Sequence, residues 1–467
     1  MKLRNLTLLL AMALSMATAA SPRYIFYFIG DGMGMGQAMA AQTYNRVALK
    51  NDKPLLMMQF PTAGILTTYS ASSTVTDSAA AGTALSCGKK TKNGMLGMTP
   101  DTVATESMAE VLHNAGWGVG LVTSVAPDDA TPGAFYAHVP SRSQFYQIGR
   151  QAAESGYEFI AGSTWRGFPD GKGGQTDLAD YIKSKDIDLV TSINDARSSK
   201  KRRVFLHSAN PFSSSNMGFT IDSIPGMLTL PEMTAACIDH LKKVSPDRFV
   251  MMVEGGNIDH VGHGNDGATV AVEVVNFNEA LAKAYEFYLE HPDETVIIVT
   301  ADHETGGMSI GNGYVGYTSY PQYLPYQRMS KDQFSIQVKK MFGNDKKPSW
   351  DELKKFTADN TGLWNVVPVS EDQEKKIREL YDKTVTHQTK GNDEKSLYAS
   401  YNALASTIYR ILNTNQGFGW TTGNHTGNPV PVYAIGKGME IFGSHIDNTE
   451  IAPALLQLAG YGFTNRK

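Results

Sequence analysis

Cysteine is almost absent: Cys87 and Cys237 are the only two in 467 residues. Two cysteines make neither a disulfide scaffold nor a thiolate metal site. An excess of one charge sign is also missing. Lys and Arg number 42 against 46 Asp and Glu, a formal net charge of −4, which is no nucleic-acid footprint. The one basic run, Lys200-Lys201-Arg202-Arg203, borders the apolar stretch Val204 to Leu206 and reads as a solvated strand flank. Beyond the N-terminus no apolar run reaches the roughly 20 residues that span a bilayer. No internal repeat or low-complexity tract stands out.

Two common catalytic signatures are missing as well. Gly30-Asp31-Gly32-Met33-Gly34-Met35-Gly36 fails the G-x-G-x-x-G spacing, and Asp31 would repel a pyrophosphate. Ser78 lies in Asp-Ser-Ala-Ala, not in the Gly-x-Ser-x-Gly of a nucleophile elbow.

What is present begins at the N-terminus. Lys2 and Arg4 precede the apolar run Leu6 to Leu14, and Ala17-Thr18-Ala19-Ala20 follows with small residues of A-x-A type. Residues 1–20 therefore read as a cleavable secretory signal, and the mature protein is expected to be periplasmic or secreted. Short apolar runs then recur at Tyr24 to Ile29, Val119 to Val125, Phe249 to Val253, Val296 to Thr300 and Val430 to Ile435. Helical patterns separate them, at about Gly36 to Leu49, Val103 to Ala115 and Gly267 to Leu289. Alternation of this kind predicts an α/β fold with a central, largely parallel sheet flanked by helices. From about 311 to 419 long apolar runs stop, and Ser330/Gln333, Ser349/Glu352 and Ser370/Gln373 offer capping boxes. That stretch is expected to be a mostly helical insertion without chemistry of its own.

The centre of the pattern is Thr76-Asp77-Ser78 followed by the small-residue run Ala79 to Leu85. A serine opening a helix has free N–H groups and the positive dipole end beside it, a place for an oxyanion. A plain capping serine on a packing helix would look the same, so the other strand ends decide. Asp31 follows the first apolar run; Asp128, Asp129 and Thr131 the second; Glu254, Asp259 and His263 the third; Asp302 and His303 the fourth. His425 stands just before the last. Ligands bind at the carboxyl edge of a parallel sheet, and so many carboxylates gathered there would repel strongly without cations between them. Oxygen and imidazole donors without thiolate suit zinc together with a harder ion such as magnesium.

Together these segments resemble the alkaline phosphatase family. The likeness is carried by Asp31-Gly32-Met33-Gly34, Thr76-Asp77-Ser78-Ala79-Ala80, Asp129-Ala130-Thr131-Pro132, Ser141-Arg142, Glu254 through His263, Thr300-Ala301-Asp302-His303 and His425-Thr426-Gly427. The resemblance implies a phosphate-monoester hydrolase with two zinc ions and one magnesium, and Ser78 as a nucleophile that becomes phosphoserine. Asp31, Asp302 and His303 would hold one zinc; Asp259, His263 and His425 the other. Asp31, Thr131 and Glu254 would hold magnesium with Asp129 in its outer shell. Arg142 would clamp the phosphoryl group and His260 would lie at substrate. By the same resemblance, small-molecule monoesters are the expected partners and a homodimer the expected assembly. Two departures stand out: His260 replaces the lysine of enteric bacterial members, whereas Asp129 replaces the histidine of animal ones. Two other readings remain open: a diesterase or sulfatase-like hydrolase of the same fold, and a non-catalytic exported protein that binds metal or phosphate.

Overall fold

The computed structural model describes residues 21–168, 177–210, 212–213, 217–343, 347–386 and 393–463, so the signal sequence read at 1–20 lies outside the described residues. Among the described residues ten strands form the central sheet. In chain order they are β1 (Tyr24–Ile29), β2 (Thr62–Thr67), β3 (Gly118–Thr123), β4 (Phe159–Gly162), β5 (Ile187–Val190), β6 (Arg203–His207), β7 (Phe249–Glu254), β8 (Thr295–Thr300), β9 (Val430–Gly436) and β10 (His445–Asp447). Their order across the sheet is β10-β2-β9-β8-β1-β7-β3-β4-β6-β5. Only β9 runs against its neighbours; every other pairing in the sheet is parallel.

The central strands β1, β3, β7 and β8 are buried along their whole length, as a parallel sheet covered on both faces requires. Their carboxyl ends are level. Ile29 is opposite both Glu254 and Thr300, and Thr123 is opposite Glu254. The residues that follow these strands therefore emerge side by side. Because β9 is antiparallel, the chain enters it from that same edge, which carries His425 there ahead of Val430. A short pairing of His425–Thr426 with Glu304–Thr305 ties that entry to the loop after β8.

Helix boundaries follow capping chemistry. The serine helix runs Ser78–Cys87, with Asp77 as its N-cap, accepting from the Ala80 N–H, and Gly88 closing it in a left-handed conformation. Its glycine allows close approach: a Cβ at Gly82 would lie 3.1 Å from that of Ala134. The helix expected from Val103 begins only at Met108, because Ser107 and Glu110 make a capping box there. Helices Lys331–Met341, Trp350–Thr361, Glu371–Val385 and Ala403–Gln416 occupy the stretch between β8 and β9 and close over a second apolar core around Phe334, Leu353, Ile377 and Leu412. Ser349 and Ser370 form complete capping boxes; Ser330 caps through its own side chain. Cys87 and Cys237 are separate buried thiols.

Candidate active site

Ser78 is the first residue of its helix and is buried beneath the carboxyl edge of the sheet. Its Oγ lies 3.2 Å from His303 Nε2. Asp77 does two jobs beside it. One carboxylate oxygen caps the helix, and the other accepts from the Gly94 N–H and from Arg142 Nη1, at 3.0 and 3.3 Å. The cap of the serine helix is thus also an anchor for the arginine.

The imidazoles report the purpose of the next cluster. His263 Nδ1 lies 2.7 Å from the Gly423 carbonyl, and His425 Nδ1 lies 2.8 Å from the Thr76 carbonyl. A carbonyl only accepts, so each Nδ1 carries a proton and each ring turns its Nε2 toward the other. Those two Nε2 atoms are 3.1 Å apart. With both Nδ1 protons taken up by carbonyls, the two Nε2 atoms are the ring donors left to hold a cation. Asp259 Oδ1 stands 3.3 and 3.5 Å from the same two nitrogens. Ligand atoms of Asp259, His263 and His425 lie within 4.8 Å of one another, as do those of Asp31, Asp259 and His303. Asp302 Oδ2 is 3.1 Å from His303 Nε2, while its Oδ1 accepts from the Gly32 and His303 N–H groups. Among the described residues, Asp31 Oδ1, Asp259 Oδ2 and Asp302 Oδ2 are buried without hydrogen-bond partners. Buried carboxylate oxygens are rarely left so, and all three suit a metal. Gly32, at φ +72°, keeps this floor open, since a Cβ there would fall 3.0 Å from the Asp259 Cα.

Electrostatics agree. Burial, then the Asp302, Asp259 and Glu254 carboxylates, drive the Asp31 carboxyl well above its usual range. Burial also pushes Glu254 up to about 8. For Asp259 burial is opposed and outweighed by His263 and His425, which hold it well below the usual range. Histidines thus compensate Asp259, while Asp31 and Glu254 are left where their surroundings disfavour the charged form.

The group read as a magnesium site is compact too. Thr131 Oγ1 is 3.4 Å from Asp31 Oδ2, and Glu254 accepts from Thr123 Oγ1 at 2.5 Å. Asp129 faces another way. Its two oxygens accept from Arg142 Nη2 and from Arg166 Nη1, each at 3.1 Å. Burial works against the charge on Asp129, but the two guanidinium groups prevail and bring it to about 2. His260 is buried, and burial pushes it down to about 4, so its ring is neutral near pH 7.

Every residue singled out in the sequence is therefore at this edge, and several others join them. Arg166 lies on the loop after β4 with its guanidinium 3.8 Å from the Phe145 ring centroid. Asp128 fixes that loop by accepting from the Arg166 and Gly167 N–H groups. Thr305 donates to Asp259. Tyr398, from the helical stretch, stacks on His260 with ring centroids 3.6 Å apart. Asp77 could have been found from its place before Ser78. Arg166 and Tyr398 stand in no motif and depend on tertiary placement.

A family model for alkaline phosphatase matches residues 23–166 and 142–461. The chain belongs to the alkaline phosphatase family. It is similar to alkaline phosphatase 4 of Bacillus subtilis (strain 168), at 30% identity over 392 residues that cover 83% of this chain and 77% of that protein. Among solved structures it is similar to the Thermus thermophilus alkaline phosphatase, with a TM-score of 0.79 and 25% identity over 95% of this chain and 93% of that one. A cold-active alkaline phosphatase from Shewanella sp. superimposes with a TM-score of 0.77, also at 25% identity, over 93% of this chain and 99% of that one. As a member of this metal-dependent family the protein is a phosphoric monoester hydrolase.

Proposed function

We propose that the protein is an exported alkaline phosphatase that hydrolyses small-molecule phosphate monoesters through a phosphoserine on Ser78. The observation that carries this reading is the Ser78 Oγ at a helix N-terminus, 3.2 Å from His303 and beside carboxylates that each keep one oxygen without a hydrogen-bond partner among the described residues. Asp31, Asp302 and His303 would hold one zinc, and Asp259, His263 and His425 a second. Asp31, Thr131 and Glu254 would hold magnesium. Such ions lower the pKa of the attacking hydroxyl and neutralise charge on the entering and leaving oxygens.

The chain's own residues do the rest. Helix-end N–H groups beside Ser78 favour negative charge on the phosphoryl oxygens. Arg142, braced by Asp77 and Asp129, presents a planar fork to two of them. Ser78 Oγ bonds to phosphorus as the bond to the leaving oxygen breaks, and that oxygen takes up a proton. Water then attacks the same phosphorus, phosphate departs and the serine hydroxyl is restored. Asp129, with both oxygens on arginines, acts by holding Arg142 and Arg166 in place, and reaches the magnesium site only from its outer shell. Export, to the periplasm or outside the cell, rests on residues 1–20, and a homodimer rests on the family resemblance.

Ser78→Ala tests the mechanism. It should abolish trapping of phosphoserine at mildly acidic pH and cut turnover by orders of magnitude, with metal content unchanged. Label appearing on another residue would reassign the nucleophile.

A further inference from the structure

Tyr398 comes from the stretch expected to carry no chemistry. It stands at the tip of a hairpin in which Glu394–Lys395 pair with Ser400–Tyr401. The tip is closed by the Ser396 N–H donating to the Ala399 carbonyl at 2.9 Å. The hairpin is bolted to the helix Lys331–Met341. Tyr401 OH donates to Asp332 Oδ2 at 3.0 Å, Lys339 Nζ donates to the Ser400 carbonyl at 2.9 Å and to Asp393 at 2.7 Å, and the Asn402 N–H donates to Ser335 Oγ at 2.8 Å. A side chain on such a tip is held, not wandering.

Its ring lies flat on His260, at 3.6 Å and 23°, and edge-on to His263 at 5.4 Å. Yet among the described residues the Tyr398 hydroxyl has no hydrogen-bond partner. A hydroxyl on a ring packed against His260 and His263, on a rigid support and with its bonding capacity unused, is suited to a ligand bound at that site.

We infer that Tyr398 is a substrate-positioning residue: its ring walls the phosphoryl pocket against His260, and its hydroxyl donates a hydrogen bond to a phosphoryl oxygen held beside Arg142. The inference rests on the phosphatase reading of the Ser78 site. It adds a contact from the helical stretch to a pocket otherwise built by the sheet edge. The ring alone would shape the pocket, whereas the hydroxyl adds affinity for the phosphoryl group of substrate and product alike.

Tyr398→Phe keeps the ring and removes only the hydroxyl. The experiment uses the metal-loaded enzyme, with calorimetric titration of inorganic phosphate, steady-state kinetics on a monoester, and phosphoserine trapping on wild type and variant. The expected result is roughly tenfold weaker phosphate binding, a parallel rise in KM, a smaller change in kcat and an unchanged melting temperature. Phosphate affinity within twofold of wild type, with Ser78 still labelled in both proteins, would overturn the role of Tyr398 and leave the phosphatase reading intact. A wild-type enzyme whose Ser78 takes no label would overturn the reading beneath it.

Discussion

Arg142 is held before any substrate arrives. Its two terminal nitrogens are bound to Asp77 and Asp129, so the guanidinium plane is set by groups that do not react. A pre-set planar fork loses less freedom on binding than a lysine would. The same feature should separate substrate classes. A monoester dianion offers two non-bridging oxygens to the fork, whereas a diester has less charge and puts an ester oxygen at one of those contacts. A hydrogen bond between charged groups contributes about 1.5–3 kcal/mol, or roughly ten- to a hundredfold in rate. Arg142→Ser should therefore lower kcat/KM for monoesters by about that factor and for diesters far less. Equal losses on both would show that Arg142 is no phosphoryl clamp and would favour a diesterase.

The helical stretch between β8 and β9 is more deeply engaged with the site than its sequence suggests. Besides Tyr398, it supplies hydrogen bonds to the loop that follows His263. Asn413 accepts from the Gly267 N–H and donates to the Asn265 carbonyl, both at 2.9 Å, Gln327 donates to Asp266 at 2.6 Å, and Lys331 donates to the Gly264 carbonyl at 3.0 Å. Sequence alone suggests that trimming 311–419 would spare metal binding; these contacts reverse that expectation. A variant with the stretch replaced by a short linker should retain less zinc than wild type, measured by metal analysis after gel filtration. Full metal content would show that the loop holds itself.

The junction also carries a pH dependence. Burial pushes the Asp332 carboxyl up to about 7 and Asp222 up to about 6. A carboxyl raised on folding binds its proton more tightly in the native state, so its contribution is complete below the unfolded value near 4. That contribution is then lost as pH rises through the folded value. For Asp332 the window is about pH 4 to 7 and the effect roughly 1–4 kcal/mol. Asp332→Asn mimics the protonated form, and urea unfolding at pH 5 and pH 8 should show a smaller decline than in wild type. Identical declines would remove Asp332 from the account.

For the whole molecule, the cluster of carboxylates and imidazoles is the joint between the strands. Loops after β1, β3, β7 and β8 and the entry to β9 meet there, and among the described residues three buried carboxylate oxygens at that point have no hydrogen-bond partner. Ions that bind only the folded state stabilise it by mass action, about 4 kcal/mol per site at a thousandfold excess over Kd. Chelation followed by dialysis should abolish turnover and lower the melting temperature, and zinc with magnesium should restore both. An unchanged melting temperature in verified metal-free protein would mean that the carboxylates are neutralised by protons instead.

Much of this was legible without a structure. Apolar runs of strand length end in Asp31, Glu254 and Asp302, and a parallel sheet puts such ends on one edge, so chain order alone predicts convergence. Local capping chemistry sets Ser78 at the start of its helix for the same reason: the information lies within a few residues. His425 was readable as a site residue, but how it arrives was not, because only the antiparallel run of β9 turns the entry to a strand toward the carboxyl edge of the others. Arg166 and Tyr398 were not readable at all. Neither sits at a strand end or in a spacing that a motif requires, and each reaches the site through long-range packing. Arg166 is placed by the buried carboxylate of Asp128, and Tyr398 by a hairpin tied to a helix some sixty residues earlier. Periodicity and turn chemistry are properties of neighbouring residues, and they point to the sheet and to most helix starts, while the family resemblance supplies the expected ligands. Which arginine meets Asp129, and which ring covers His260, depends on contacts between distant segments, and those are settled only when the chain is packed.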